Sequence, residues 1–168
     1  MSKAFTSEET PDTGVIAREP PVLRPGEVRY VTPEGREALR AALERLRAAL
    51  AGAASLPDSE RTARIADLER RVALTAGTLA ALTVLGPDAA PEGTVAFARW
   101  VTIEGEDGRR KTWRIVGTDE ADPGLGLVSV YSPVGRALLG RAAGEPIEVE
   151  RPDGCRKYTV IEVRRTAP

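Results

Sequence analysis

The chain has 168 residues, 42% hydrophobic but only 4% aromatic, which allows one or two compact units with aliphatic, Ala-rich cores. Its 24 basic and 25 acidic side chains nearly cancel, and the balance stays within one charge in each of residues 1–30, 32–85 and 86–168. That even balance argues against a protein holding nucleic acid through its own phosphate contacts and for a protein partner. With no histidine and a single cysteine, an intramolecular disulfide is excluded and the commonest zinc ligand and general base are missing.

In chain order, residues 1–29 carry Pro11, Pro20, Pro21 and Pro25 among scattered charges with no apolar period, and read as a disordered tail. Thr32-Pro33-Glu34 then supplies an N-cap, a proline at the first helical position and an acid in the first turn. A helix is expected from there to about Leu50 or Ala53. Ser55-Leu56-Pro57-Asp58 reads as a second helix start, capped by Ser55 or Asp58, with the helix continuing to about Leu85. Leu39, Leu43, Leu46 and Leu50 step by 4, 3 and 4 residues; Ile65, Leu68, Val72, Thr75, Leu79 and Leu82 step by 3, 4, 3, 4 and 3. Each set falls on one narrow stripe, so residues 30–85 are expected to form an antiparallel helical hairpin, a short coiled coil.

Residues 86–93, rich in glycine and proline, end the hairpin and read as a linker. Beyond it the period becomes alternating. Strands are expected at Val95–Ile103 and Lys111–Val116, joined through Asp107-Gly108, at Leu127–Tyr131, and in a last hairpin of Pro146–Glu150 and Cys155–Val163 turning through Pro152-Asp153-Gly154. Pro133–Leu139 reads as a short helix capped by Ser132. Residues 94–168 thus form a small antiparallel sheet with one helix laid on it, and the whole chain is α+β. Cys155 sits in a strand-like run with no imidazole to activate it and reads as a packing or edge residue. No signal peptide is read, and no apolar run approaches the roughly 20 residues a spanning helix needs, so a cytoplasmic setting without membrane contact is expected.

Three stretches carry a resemblance: Tyr30-Val31-Thr32-Pro33-Glu34-Gly35; Arg114-Ile115-Val116-Gly117-Thr118-Asp119-Glu120-Ala121-Asp122; and Ser132-Pro133-Val134-Gly135-Arg136-Ala137-Leu138-Leu139-Gly140. Together with the element order, they make residues 30–165 resemble the bacterial GreA/GreB transcript cleavage factors, especially the GreB-like branch. The resemblance implies an FKBP-like C-terminal domain that docks at the rim of the secondary channel of RNA polymerase, and a coiled coil that enters the channel. Tip acids of the family help hold a magnesium that belongs to the polymerase, since a hard divalent cation takes carboxylate oxygen and a second ion stabilises in-line attack on phosphate. No cofactor or metal of the chain's own is implied, and nucleic acid would be met only within the transcription complex.

By that resemblance the hairpin-tip acids are Asp58 and Glu60, within Leu56-Pro57-Asp58-Ser59-Glu60. Their other reading is structural, because acids in a first helical turn favour the helix dipole. The docking residues implied are Tyr131, Ser132, Pro133, Gly135 and Arg136; Tyr131 stands where the family often has Asp and offers an aromatic anchor instead. Asp119, Glu120 and Asp122 form a second candidate docking turn, otherwise a solvated one. Thr32 to Asp58 spans 27 residues and Asp58 to Val72 spans 15. Against GreB-like sequences each arm is shorter by about seven or eight residues, one heptad, which keeps the seam in register and shortens the rod by about 11 Å. Metal ligands must lie within roughly 2.0–2.6 Å of their ion, so a modulator or competitor of cleavage factors is expected rather than an efficient cleavage factor. The alternatives are a genuine cleavage factor acting through Asp58 and Glu60, a helical adaptor or self-associating protein, and a prolyl isomerase. The last is disfavoured because the C-terminal residues offer no clustered aromatic pocket.

Overall fold

The computed structural model describes residues 25–26, 28–55, 57–151 and 154–168. Thr32 caps helix α1 (Pro33–Gly52) by accepting a hydrogen bond from Gly35 N–H, and Pro33 supplies the fixed φ of its first position. A 3-10 turn at Ala53–Ser55 leads to helix α2 (Asp58–Ala81). The two helices pack on each other, with Leu39, Ala42 and Leu43 of α1 and Leu68, Thr75 and Thr78 of α2 buried.

Two expectations about the helix ends are corrected. Neither Ser55 nor Asp58 caps α2: its N-cap is Pro57, with no side-chain hydrogen bond, and the Ser55 hydroxyl donates backward to the Gly52 carbonyl. The second helix does not reach Leu85 either. It stops at Ala81, and the β-branched pair Thr83-Val84 forms strand β2, which runs parallel to β1 (Tyr30–Val31). Backbone bonds from Thr83 N to Arg29 O (2.8 Å) and from Leu85 N to Val31 O (2.9 Å) strap the start of α1 to the end of α2.

Further strands among the described residues are β3 (Trp100–Gly105), β4 (Arg110–Val116), β5 (Leu127–Ser129), β6 (Pro146–Arg151) and β7 (Gly154–Arg164), with a third α-helix, α3 (Pro133–Leu138). They form one five-stranded sheet in the order β5-β4-β3-β7-β6. The expected antiparallel sheet is instead mixed, because β4 and β5 pair in parallel; the turn through Asp122 and the 3-10 segment Pro123–Leu125 carries the chain back to start β5 in the same direction as β4. Strand β3 also begins later than the alternation suggested. Ala98, fully buried, takes the left-handed φ of +64° and breaks the run Val95–Ile103 before Trp100. The core under the sheet is aliphatic, built from Val101, Ile103, Ile115, Leu138, Val149 and Val160 among others, with Phe97 and Tyr158 at its margins.

Of the expected tail, residues 1–24 and Glu27 lie outside the described residues. Its end is corrected, because Val28 and Arg29 are bonded to the sheet unit through Tyr131 and Asp119. Residues 86–93 are likewise more than a linker. Arg99, 1% exposed, donates from Nε to Pro87 O (2.8 Å), from Nη1 to Pro91 O (2.5 Å) and Thr94 O (2.8 Å), and from Nη2 to Ala90 O (2.5 Å). The planar guanidinium matches several carbonyls at once, so this segment is held down along its length. Cys155 is exposed on β7, and no helix among the described residues is long and apolar enough to cross a membrane.

Candidate functional site

The candidate residues fall at three places: the tip of the helical pair, the start of α3, and the turn after β4. At the tip, Asp58 and Glu60 occupy the first and third positions of α2 and both are exposed. Asp58 is ion-paired with Arg61 one turn on, its side chain 86% exposed. Two positions along a helix differ by about 200° around its axis, so the two carboxylates project from opposite faces. Leu56, the first residue of the tip motif, lies outside the described residues.

At the start of α3, Ser132 is the N-cap: its hydroxyl accepts from Gly135 N–H (3.0 Å) and donates to Ser129 O (2.7 Å). Pro133 follows, exposed at the first helical position. Gly135 is buried, and a Cβ there would lie 2.1 Å from the Ser129 carbonyl oxygen, so close backbone packing is what requires a glycine. Arg136 is exposed; its Nε donates to Tyr131 O (3.0 Å), and its guanidinium lies 5.9 Å from the centre of the Tyr131 ring. The Tyr131 hydroxyl accepts from Val28 N–H (3.0 Å) and donates to Val28 O (2.9 Å). Ser132, Pro133, Tyr131 and Arg136 are therefore gathered at one end of α3, with Gly135 beneath them.

The turn after β4 is not the solvated loop its three acids suggested. Asp119 forms a forked pair with Arg29, Nε to Oδ2 at 3.2 Å and Nη2 to Oδ1, and the two side chains are only 9% and 13% exposed. Glu120 accepts from Thr32 N–H (2.8 Å) and from the Thr32 hydroxyl, and more weakly from Gly117 N–H (3.4 Å). Asp122 caps the 3-10 segment, accepting from Gly124 N–H (2.9 Å) and Leu125 N–H (3.4 Å). All three carboxylates are spent on the chain's own backbone or side chains.

A second ion pair lies beside them. Arg114 on β4 reaches Glu34 Oε2 (3.0 Å) from Nη2, bonds Ala98 O (3.2 Å) from Nε, and sits 5.7 Å from the centre of the Trp100 ring. The Glu34 carboxyl is held below the usual carboxylate range, first by a hydrogen bond from its own backbone N–H. Partial burial pushes the other way, and the charge and hydrogen bond of Arg114 lower it further.

Arg29 and Arg99 did not stand out in the sequence, and Arg114 entered only as the first residue of a resemblance stretch, without a partner. For Arg99 a signal existed: it is the only charged residue in the run Thr94–Val101, where a charge between apolar neighbours needs a buried partner. For Arg29 and Arg114 there was none, since their partners lie 90 and 80 residues away.

The family model described as transcription elongation factor GreA/GreB, C-terminal, matches residues 90–165. The chain is 34% identical over 150 residues to transcription elongation factor GreB of Yersinia pestis, covering 80% of this chain and 88% of that one. It is 36% identical over 151 residues to transcription elongation factor GreA of Chloroflexus aurantiacus, covering 80% and 96%. Among solved structures, GreA factor homolog 1 (Gfh1) of Thermus thermophilus aligns at 23% identity and a TM-score of 0.39, covering 82% of this chain and 99% of that one. Sequence likeness spread over most of both chains, on both sides of the linker, makes this chain a member of the GreA/GreB family of transcription elongation factors.

Proposed function

We infer that this chain binds bacterial RNA polymerase at the secondary channel and modulates elongation without efficiently stimulating transcript cleavage. In this reading residues 94–168 are the FKBP-like docking domain, with Tyr131, Ser132, Pro133 and Arg136 at the start of α3 as the contact surface. The paired helices α1 and α2 are a coiled coil that enters the channel and brings no metal or cofactor of its own.

The observation that carries the non-cleaving part is the tip. Helices of 20 and 24 residues give arms of about 30 and 36 Å at 1.5 Å per residue. Their junction presents two carboxylates on opposite faces of one turn, one of them already paired with Arg61. Two ligands to one ion must converge on it at roughly 2.0–2.6 Å, which acids at i and i+2 of a helix do not do.

The test uses stalled, backtracked transcription complexes. The full chain is expected to bind polymerase and to change pausing or elongation rate, with no more RNA cleavage than polymerase alone. Robust cleavage that disappears in Asp58→Ala/Glu60→Ala would establish a true cleavage factor instead. Absence of polymerase binding would leave the helical-adaptor reading.

A further inference from the structure

Residues 28–35 form a short splint between the helical pair and the sheet unit. Arg29 pairs with Asp119, Thr32 with Glu120, and Glu34 with Arg114. Tyr30 crosses Gly117 so closely that a Cβ on that glycine would fall 1.9 Å from the Tyr30 carbonyl oxygen. None of these links belongs to the seam between α1 and α2 or to the five-stranded ladder. Each unit keeps its own internal bonds without them, and what they specify is the direction in which α1 leaves the sheet.

The chemistry suits that task. An apolar contact tolerates sliding, whereas a forked arginine–carboxylate pair fixes an angle as well as a distance. The Glu120 carboxylate meets the Thr32 backbone N–H and hydroxyl at the start of α1, where the helix dipole favours a negative charge. The Thr32 hydroxyl, still accepting from Gly35 N–H (3.0 Å), ties cap and carboxylate into one unit. Leverage makes the angle matter: at the end of an arm of about 30 Å, a tilt of about 20° at the base moves the tip by about 10 Å.

We propose that Asp119 and Glu120 are positioning residues that aim the helical tip relative to the docking domain, and so decide where in the polymerase channel the tip lies. This rests on the reading that the sheet unit holds polymerase while the helices project. Neither residue touches the partner; both act through residues 28–35.

The experiment measures aim directly. In the full chain with Cys155→Ser, spin labels at Ser59→Cys on the tip and Lys111→Cys on β4 report the tip-to-sheet distance by pulsed electron spin resonance. The otherwise unaltered chain is expected to give one narrow distance. Asp119→Asn/Glu120→Gln is expected to broaden it or shift it by about 10 Å, while Glu37→Gln, which breaks only an exposed ion pair within α1, stays narrow. In a transcription assay the double variant is expected to bind polymerase within about twofold of the parent yet lose its effect on elongation, a split that general destabilisation does not produce. Should the double variant fail to fold, Arg29→Ala breaks the pair from the other side and is read in the same way. A narrow, unmoved distance in the double variant, or in Arg29→Ala where the double variant does not fold, overturns the proposal. Failure of the parent chain to bind polymerase would defeat the functional reading alone, since the distance measurement judges the clasp without polymerase.

Discussion

The two ends of the helical pair differ in kind. At the base, residues 28–35, 83–99 and 114–131 are joined by a parallel strand pair, two long-range ion pairs, a carboxylate on a helix cap and an arginine on four carbonyls. At the tip, residues 57–61 are bonded to one another within the first turn of α2. The base holds a geometry through long-range bonds and residues 57–60 of the tip are exposed, so substitutions at the base should cost stability and aim, while those at the tip should cost little of either.

The largest expected effect lies at the base. Arg99→Leu strips the donors from three linker carbonyls and that of Thr94 and is expected to destabilise by about 3 kcal/mol or more, read as a lower urea midpoint at unchanged slope. A loss under about 1 kcal/mol would mean that water replaces the guanidinium freely and the segment is a true linker.

A pair of glycines sharpens the contrast by reversing sign. Helix propensity alone favours alanine over glycine by about 1 kcal/mol, and Gly77→Ala on α2, where a Cβ meets nothing within 4 Å, should gain about 0.5–1 kcal/mol. At Gly35 a Cβ would lie 1.9 Å from Glu120 Oε1. Displacing that carboxylate breaks its bonds to Thr32, so Gly35→Ala is expected to lose about 1–2 kcal/mol instead. Thermal melts of the two variants side by side decide it; a gain at both positions would show the clasp to be soft.

At the tip, Asp58→Ala and Glu60→Ala should each lose the favourable dipole interaction, about 0.3–1 kcal/mol, with the exposed Asp58–Arg61 pair adding little. A larger loss would give the tip acids a structural partner. The smallest effect is a pH dependence. The folded Glu34 carboxyl titrates below its unfolded value, so its contribution is fully present above about pH 4.3 and fades as pH falls through the lower folded value. With its side chain 66% exposed the pair is screened, and the difference between the parent chain and Glu34→Gln should be small and should close on acidification. A difference that grew as pH fell would reverse the sign of the Glu34–Arg114 interaction.

Much of the local structure was legible because local rules were obeyed. Thr32-Pro33 and Ser132-Pro133 start helices where an N-cap followed by proline predicts them, and Asp107-Gly108 turns with Gly108 at φ +70°. The misreadings lay where a distant partner outvoted a local pattern. The heptad continued through Leu82, yet Thr83 and Val84 left the helix to pair with Tyr30 and Val31. An acidic turn that looked solvated found Arg29 and Thr32 some 90 residues earlier.

The sequence by itself determined the family, the three α-helices and the stripe carrying Leu39, Leu43, Leu68 and Thr75 on which two of them meet, because periodicity, caps and turn residues act over a few positions of chain. Only the tertiary structure decided that Asp119 and Glu120 face inward, that Arg99 grips the linker, and which way the helices leave the sheet. Those outcomes depend on charges brought together across 80 to 90 residues or on carbonyls whose direction no side-chain pattern records, and a carboxylate reads the same in the chain whether water or a guanidinium will meet it.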